Sequence, residues 1–81
     1  MKTLRTLLEL SINEKALISG FTTKLSTEYL TRLRELGFHE GELVKCLKTP
    51  PMGAPRVFEV CGSVFSMESE IAREIELKHL L

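Results

Sequence analysis

Residues 30–41, Leu-Thr-Arg-Leu-Arg-Glu-Leu-Gly-Phe-His-Glu-Gly, leave this chain little local choice. Leu25, Tyr29, Leu33 and Leu36 recur at intervals of four, four and three, the spacing of one apolar face of an α-helix. Ser26 is a favourable N-cap, Glu28 falls in the first turn, and Leu25 and Leu30 occupy the two hydrophobic-staple positions. At the far end Gly37 can take the left-handed conformation that stops a helix, which would fold Phe38 back onto Leu33. Arg32 and Arg34 lie in the last turn, where cations suit the helix dipole. Gly41 then opens a strand. Both ends of one short helix are thus specified locally, and the remainder reads as short strand material expected to wrap around it.

The flanking chain supplies those strands. Leu4, Leu7 and Leu8 are spaced for a helical turn, so residues 1–6 are expected to form a helical lid. Residues 7–21 read as a lead-in and first strand, turning near Asn13-Glu14. Residues 42–48 form the second strand, with Leu43 and Leu47 on one face and Val44 and Cys46 on the other. That pattern suits a curved strand covered on both sides. Pro50-Pro51-Met52-Gly53-Ala54-Pro55 must be a loop. Residues 56–67 form a hairpin, for which Gly62-Ser63 signals a type II′ turn. This places Val60 opposite Phe65 and Phe58 opposite Met67, with those four side chains on the core face. Residues 68–72 form a helical turn, Ile75-Glu76-Leu77 a closing strand, and residues 79–81 a frayed tail.

Composition narrows the function. At 81 residues the chain is expected to be a single small domain with a thin core, too small for a lobed active site. Eleven basic residues balance eleven acidic ones and no three basic residues are adjacent, which argues against a nucleic-acid partner held by phosphate neutralisation. Two cysteines are too few for a secreted disulfide scaffold, pointing to a reducing cytosol. Near the N-terminus only Leu7-Leu8 precede Glu9, short of a signal peptide, and no apolar run approaches a membrane span.

Leu33-x-x-Leu36-Gly37-Phe38-x-x-Gly41 followed by a strand resembles the ferrous iron transport protein A (FeoA) family. The resemblance extends from about Leu7 to Leu77. Leu7, Glu9, Leu10, Ile18 and Gly20 fit the family's first strand, with Ile12-Asn13 where Pro-Gly is usual; Asn tolerates positive φ, so the turn can survive. Pro51, Gly53 and Pro55 match the family's Ala-Pro-Leu-Gly-Asp-Pro loop, with Met52 for leucine and Ala54 for the acidic residue. Met67, Glu70, Ala72, Ile75 and Leu77 fit its ending, with Glu68 where arginine is frequent. The resemblance implies a mainly β fold: a five-stranded SH3-like barrel, one α-helix between the first two strands, and a short helical turn before the last. It also implies a cytosolic accessory protein of ferrous iron uptake, docked on a ferrous iron permease that carries a GTP-binding domain. Such a protein is peripheral to the membrane through the permease only, and a homo-oligomer is left open. The alternative is a metal-sensing or metal-carrying SH3-like module related to the C-terminal domain of iron-dependent repressors.

Residue chemistry agrees with a binding role. No nucleophile–base spacing and no phosphate loop is present, so no catalytic residue is expected. Cys46, Cys61, His39 and His79 are the candidate metal ligands, but none forms a close pair such as C-x-x-C. Small apolar strand positions for the cysteines and an exposed turn for His39 are the simpler reading. Neither metal nor cofactor is therefore expected, with an isolated two-ligand Fe(II) or Zn(II) site at an oligomer contact left open. The partner-binding candidates are Pro51, Met52, Gly53 and Pro55, a rigid loop presenting an apolar tip, followed by Arg32 and Glu35 on the exposed helix face.

Overall fold

A computed structural model describes residues 5–78. In chain order it contains β1 (Arg5–Thr6), a 3-10 turn (Leu7–Glu9), β2 (Lys15–Phe21), α1 (Thr27–Leu36) and β3 (Leu43–Lys48). There follow β4 (Arg56–Val60), β5 (Ser63–Met67), α2 (Ser69–Ala72) and β6 (Ile75–Lys78). The strands form one antiparallel sheet in the order β1-β6-β2-β3-β4-β5.

Three features correct the sequence-based fold. The described residues hold six strands rather than five, and the helix lies between the second and third of them. The extra strand is β1, where Arg5 and Thr6 pair with Leu77 and Glu76 instead of joining a helical lid. Residues 1–4, the rest of that lid, and the tail at 79–81 lie outside the described residues. The sheet is also open: β1 and β5 are its edges and do not pair with each other. The two-residue β1 is held by side chains, because Arg5 grips the carboxylate of Glu14 at 2.6 and 3.0 Å and donates to the Glu9 carbonyl at 2.9 Å. Asn13 takes φ 70° at the intervening turn, as expected of an asparagine standing in for glycine.

The helix caps follow the sequence closely. Ser26 Oγ accepts from the Tyr29 amide at 3.1 Å. Gly37 takes φ 112°, its amide donates to the Arg34 carbonyl at 3.1 Å, and the Phe38 amide donates to the Leu33 carbonyl at 2.9 Å. This is a complete Schellman motif. The helix is nonetheless peripheral. Of its apolar face only Leu33 is fully buried, Leu25 is half-buried, and Tyr29 and Leu36 are each 40% exposed. One buried leucine contributes roughly 1.5–3 kcal/mol, so the caps carry much of this helix's definition. The sheet wraps around its own interior instead: Leu7, Leu10, Ile18, Val44, Phe58, Ile75 and Leu77 fill it, with Phe38 delivered by the helix stop.

The β4–β5 hairpin keeps the expected core face but shifts its pairing. Phe58 faces Phe65, Val60 faces Ser63 and Arg56 faces Met67. The turn residues are therefore Cys61-Gly62, both at positive φ (53° and 79°), rather than Gly62-Ser63. This is the type I′ turn, whose twist matches the strands it joins. Because the change preserves parity, Phe58, Val60, Phe65 and Met67 still share one face. Phe65 is partly exposed and its ring lies 5.6 Å from that of Phe38.

Candidate functional site

Two surfaces carry the expected binding residues. The loop between β3 and β4 turns tightly at Met52-Gly53, both at positive φ (65° and 74°), closed by the Ala54 amide donating to the Pro51 carbonyl at 3.3 Å. This puts Met52 at the tip, 98% exposed. Pro51, Gly53 and Pro55 are also exposed, and no atom stands within contact distance of where a Gly53 Cβ would be. Prolines flanking a closed turn restrict the loop before it meets anything, which lowers the ordering cost of binding. A thioether side chain held in this way adapts to an apolar partner surface.

The second surface is the outer face of α1. Arg32 and Glu35 are exposed, and Arg32 lines a shallow cleft of about 200 Å³ with Ser26, Glu28 and Tyr29. Its neighbour Arg34 is engaged elsewhere: it pairs with Glu40 at 3.1 Å and lies 5.4 Å from the Phe21 ring centre. The Glu40 carboxyl is held below its ordinary range, first by its own backbone amide and then by Arg34. The loop and this helix face are separate elements, and no described contact joins their side chains.

A third constellation was not assembled by sequence reasoning. His39 and Glu42, in the turn after Gly37, meet Cys61 of the hairpin turn, and their potential ligand atoms lie within 4.8 Å of one another. Cys61 is exposed, and its thiol is pushed above the usual range by partial desolvation, then by its hydrogen bond to Glu42 and the charge there. Cys46 does behave as a small core residue, fully buried, its thiol held up chiefly by burial. Both cysteines are free. His39 and Cys61 are both among the sequence-based candidate ligands, but Glu42 is not, and nothing in their spacing along the chain shows that the three converge. The available signal was a cysteine preceding glycine at a hairpin turn, where Asn, Asp or Gly is usual. His79 lies outside the described residues.

A small antiparallel β sheet with a capped peripheral helix and an exposed proline loop defines an SH3-like fold. The FeoA domain model matches residues 5–79, and the chain belongs to that family, which concerns ferrous iron transport. FeoA of Stenotrophomonas maltophilia, described as an SH3 domain protein complexed with zinc, is 28% identical with a TM-score of 0.79, covering 91% of this chain and 89% of that one. The FeoA protein of Chlorobium tepidum is 25% identical with a TM-score of 0.85, covering 95% and 71%. A manganese-dependent transcriptional repressor also superposes, with a TM-score of 0.85 at 12% identity. It covers 99% of this chain but 38% of the repressor, a likeness of fold alone. No curated protein sequence matches the chain. Among the described residues no helix is long and apolar enough to cross a membrane.

Proposed function

We propose that this chain is a cytosolic, non-catalytic accessory protein of ferrous iron uptake, acting as one domain and docking on the ferrous iron permease through its proline loop. Membership of the FeoA family supports the pathway, and the Stenotrophomonas relative is described as a candidate activating factor for ferrous iron transport. The observation that carries the docking surface is Met52, almost wholly exposed on a proline-flanked turn. An apolar side chain in that position serves no packing role within the fold, yet it is presented with little freedom left to lose.

Met52→Asp tests this reading. Aspartate tolerates positive φ better than methionine, so the turn should be preserved. Ferrous iron uptake in cells should fall to the level of a strain lacking the protein, while the melting temperature stays within a few degrees because surface changes usually alter stability by under about 0.5 kcal/mol. A folded Met52→Asp protein that supports full uptake would remove the loop from the interface and shift attention to Arg32 and Glu35.

A further inference from the structure

The corner between the helix stop and the hairpin turn brings together three donors of three chemical kinds. His39 follows Gly37, and Glu42 closes the same turn, its amide donating to the His39 carbonyl at 3.1 Å. Cys61 is the first central residue of the facing β4–β5 turn. The imidazole nitrogen, carboxylate oxygen and sulfur lie within 4.8 Å of one another, and His39 Nε2 is already 3.5 Å from Glu42 Oε1. A tetrahedral ion with bonds of about 2.0–2.3 Å spaces its donors by roughly 3.3–3.8 Å. Side-chain adjustments on the order of one ångström therefore suffice to bring all three onto one ion.

Three further observations set this corner apart from chance proximity. Cys61 sits at φ 53°, a conformation that Asn, Asp or Gly adopts more easily, so the demands of the turn do not explain a cysteine there. Its sulfur also packs closely on Gly37: a Cβ there would stand 3.0 Å from Sγ, tighter than ordinary contact. In addition, Glu42 and Cys61 line a cleft of about 280 Å³ that also borders Lys15, Lys45 and Glu59, leaving one side of the donor set accessible.

We infer that His39, Glu42 and Cys61 form a three-donor site for a divalent transition-metal ion of borderline softness, with a fourth position open to water. The mixed nitrogen, oxygen and sulfur set disfavours magnesium and calcium, which take oxygen ligands. Among first-row ions it favours Zn(II) over Fe(II) at equal availability. The site stands on its own geometry and does not rest on the docking role of the proline loop. It reverses the sequence-based expectation of no metal, which had rested on the lack of closely spaced ligands in the chain.

The test is an anaerobic titration of the reduced, full-length chain with Co(II), followed by displacement with Zn(II). Wild type should show a sulfur-to-cobalt charge-transfer band in the near ultraviolet and the intense visible bands of a low-coordinate site, both lost on adding Zn(II). Cys61→Ser should abolish the charge-transfer band, whereas Cys46→Ser should retain it. Outer-shell partners of metal sites are already worth about 10–100-fold in affinity, so His39→Ala and Glu42→Gln should each weaken Co(II) binding by at least about tenfold. These two residues lie in a partly exposed turn, so their variants decide the matter even if Cys61→Ser destabilises the fold. A wild-type protein without the thiolate band, or His39→Ala and Glu42→Gln variants that bind as wild type, would overturn the site.

Discussion

At Met52-Gly53 and at Cys61-Gly62 the backbone follows the same course: a non-glycine residue and then a glycine, both left-handed, at opposite ends of β4. Their surroundings differ. A Cβ added to Gly53 or Gly62 would meet nothing, and Met52 projects into solvent. Cys61, by contrast, lies against the site of the helix-stopping Gly37, with its sulfur within 4.8 Å of the Glu42 carboxylate. Equivalent local strain is thus held in place by different means: by a proline-flanked closed loop at one end and by tertiary contact at the other. The first arrangement leaves a side chain free for a partner, while the second gathers donor groups from two turns.

The largest effect is expected in the strand that joins the two turns. Phe58 is fully buried, and Phe58→Ala should cost about 3–5 kcal/mol. Amide exchange should then accelerate at both turns together. Phe65→Ala should cost less, because Phe65 is only partly buried. Urea denaturation of the two variants checks the order, and equal midpoints would contradict the depth assigned to Phe58.

Next comes the contact that distinguishes the two turns. Gly37→Ala combines a positive φ with a close approach to the Cys61 sulfur, so it should cost about 2–5 kcal/mol. Gly53→Ala carries only the backbone penalty, about 1–2 kcal/mol. Combining Gly37→Ala with Cys61→Gly removes the close approach and should recover part of the loss. Strict additivity in that double-mutant cycle would mean that the two residues are not coupled.

Smaller still is the response to relieving strain. Met52→Asn should stabilise by a few tenths of a kcal/mol, up to about 1 kcal/mol, since asparagine accepts the left-handed conformation and Met52 makes no buried contact to lose. Cys61→Asn gains the same local relief but loses the packing beside Gly37, so its net effect should be null or unfavourable. Thermal melts of the pair compare the turns directly.

The smallest difference is chemical. Partial desolvation and Glu42 favour the neutral Cys61 thiol, which raises its folded pKa. The corresponding stabilisation is present below the ordinary thiol range and is lost as pH rises through the raised value. Near pH 8, alkylation of Cys61 should therefore be slower than that of an unstructured peptide thiol, despite its exposure. Glu42→Gln should speed it. An unchanged rate in Glu42→Gln would remove the carboxylate from the account.

Much of this arrangement was legible because it is local. Ser26, Gly37 and Asn13 each declare their conformation through a cap or turn whose chemistry lies within a few residues, and the prolines mark their own loop. What escaped depends on distant partners. The β1 strand is only Arg5 and Thr6, held by β6 and Glu14, and no periodicity can reveal two residues. The helix stripe predicted burial on all four positions, but the sheet covers chiefly Leu33. Gly62 serves equally as the first residue of a II′ turn or the second of a I′ turn, so a local reading could not choose the register. The corner of His39, Glu42 and Cys61 exists only because the helix stop and the hairpin turn pack together, nineteen residues apart along the chain from Glu42 to Cys61.

The central claim, that the proline-loop tip is the docking surface, is tested most directly by nuclear magnetic resonance. Isotope-labelled protein, with the Met52 methyl group also labelled, would be titrated with the soluble cytosolic region of the permease. The account predicts that the Met52 methyl and the amides of residues 49–56 shift or broaden first and most strongly, while the Cys61 turn is little affected. Perturbations centred on α1 or on the Cys61 turn, with the Met52 methyl resonance unmoved at saturation, would contradict it.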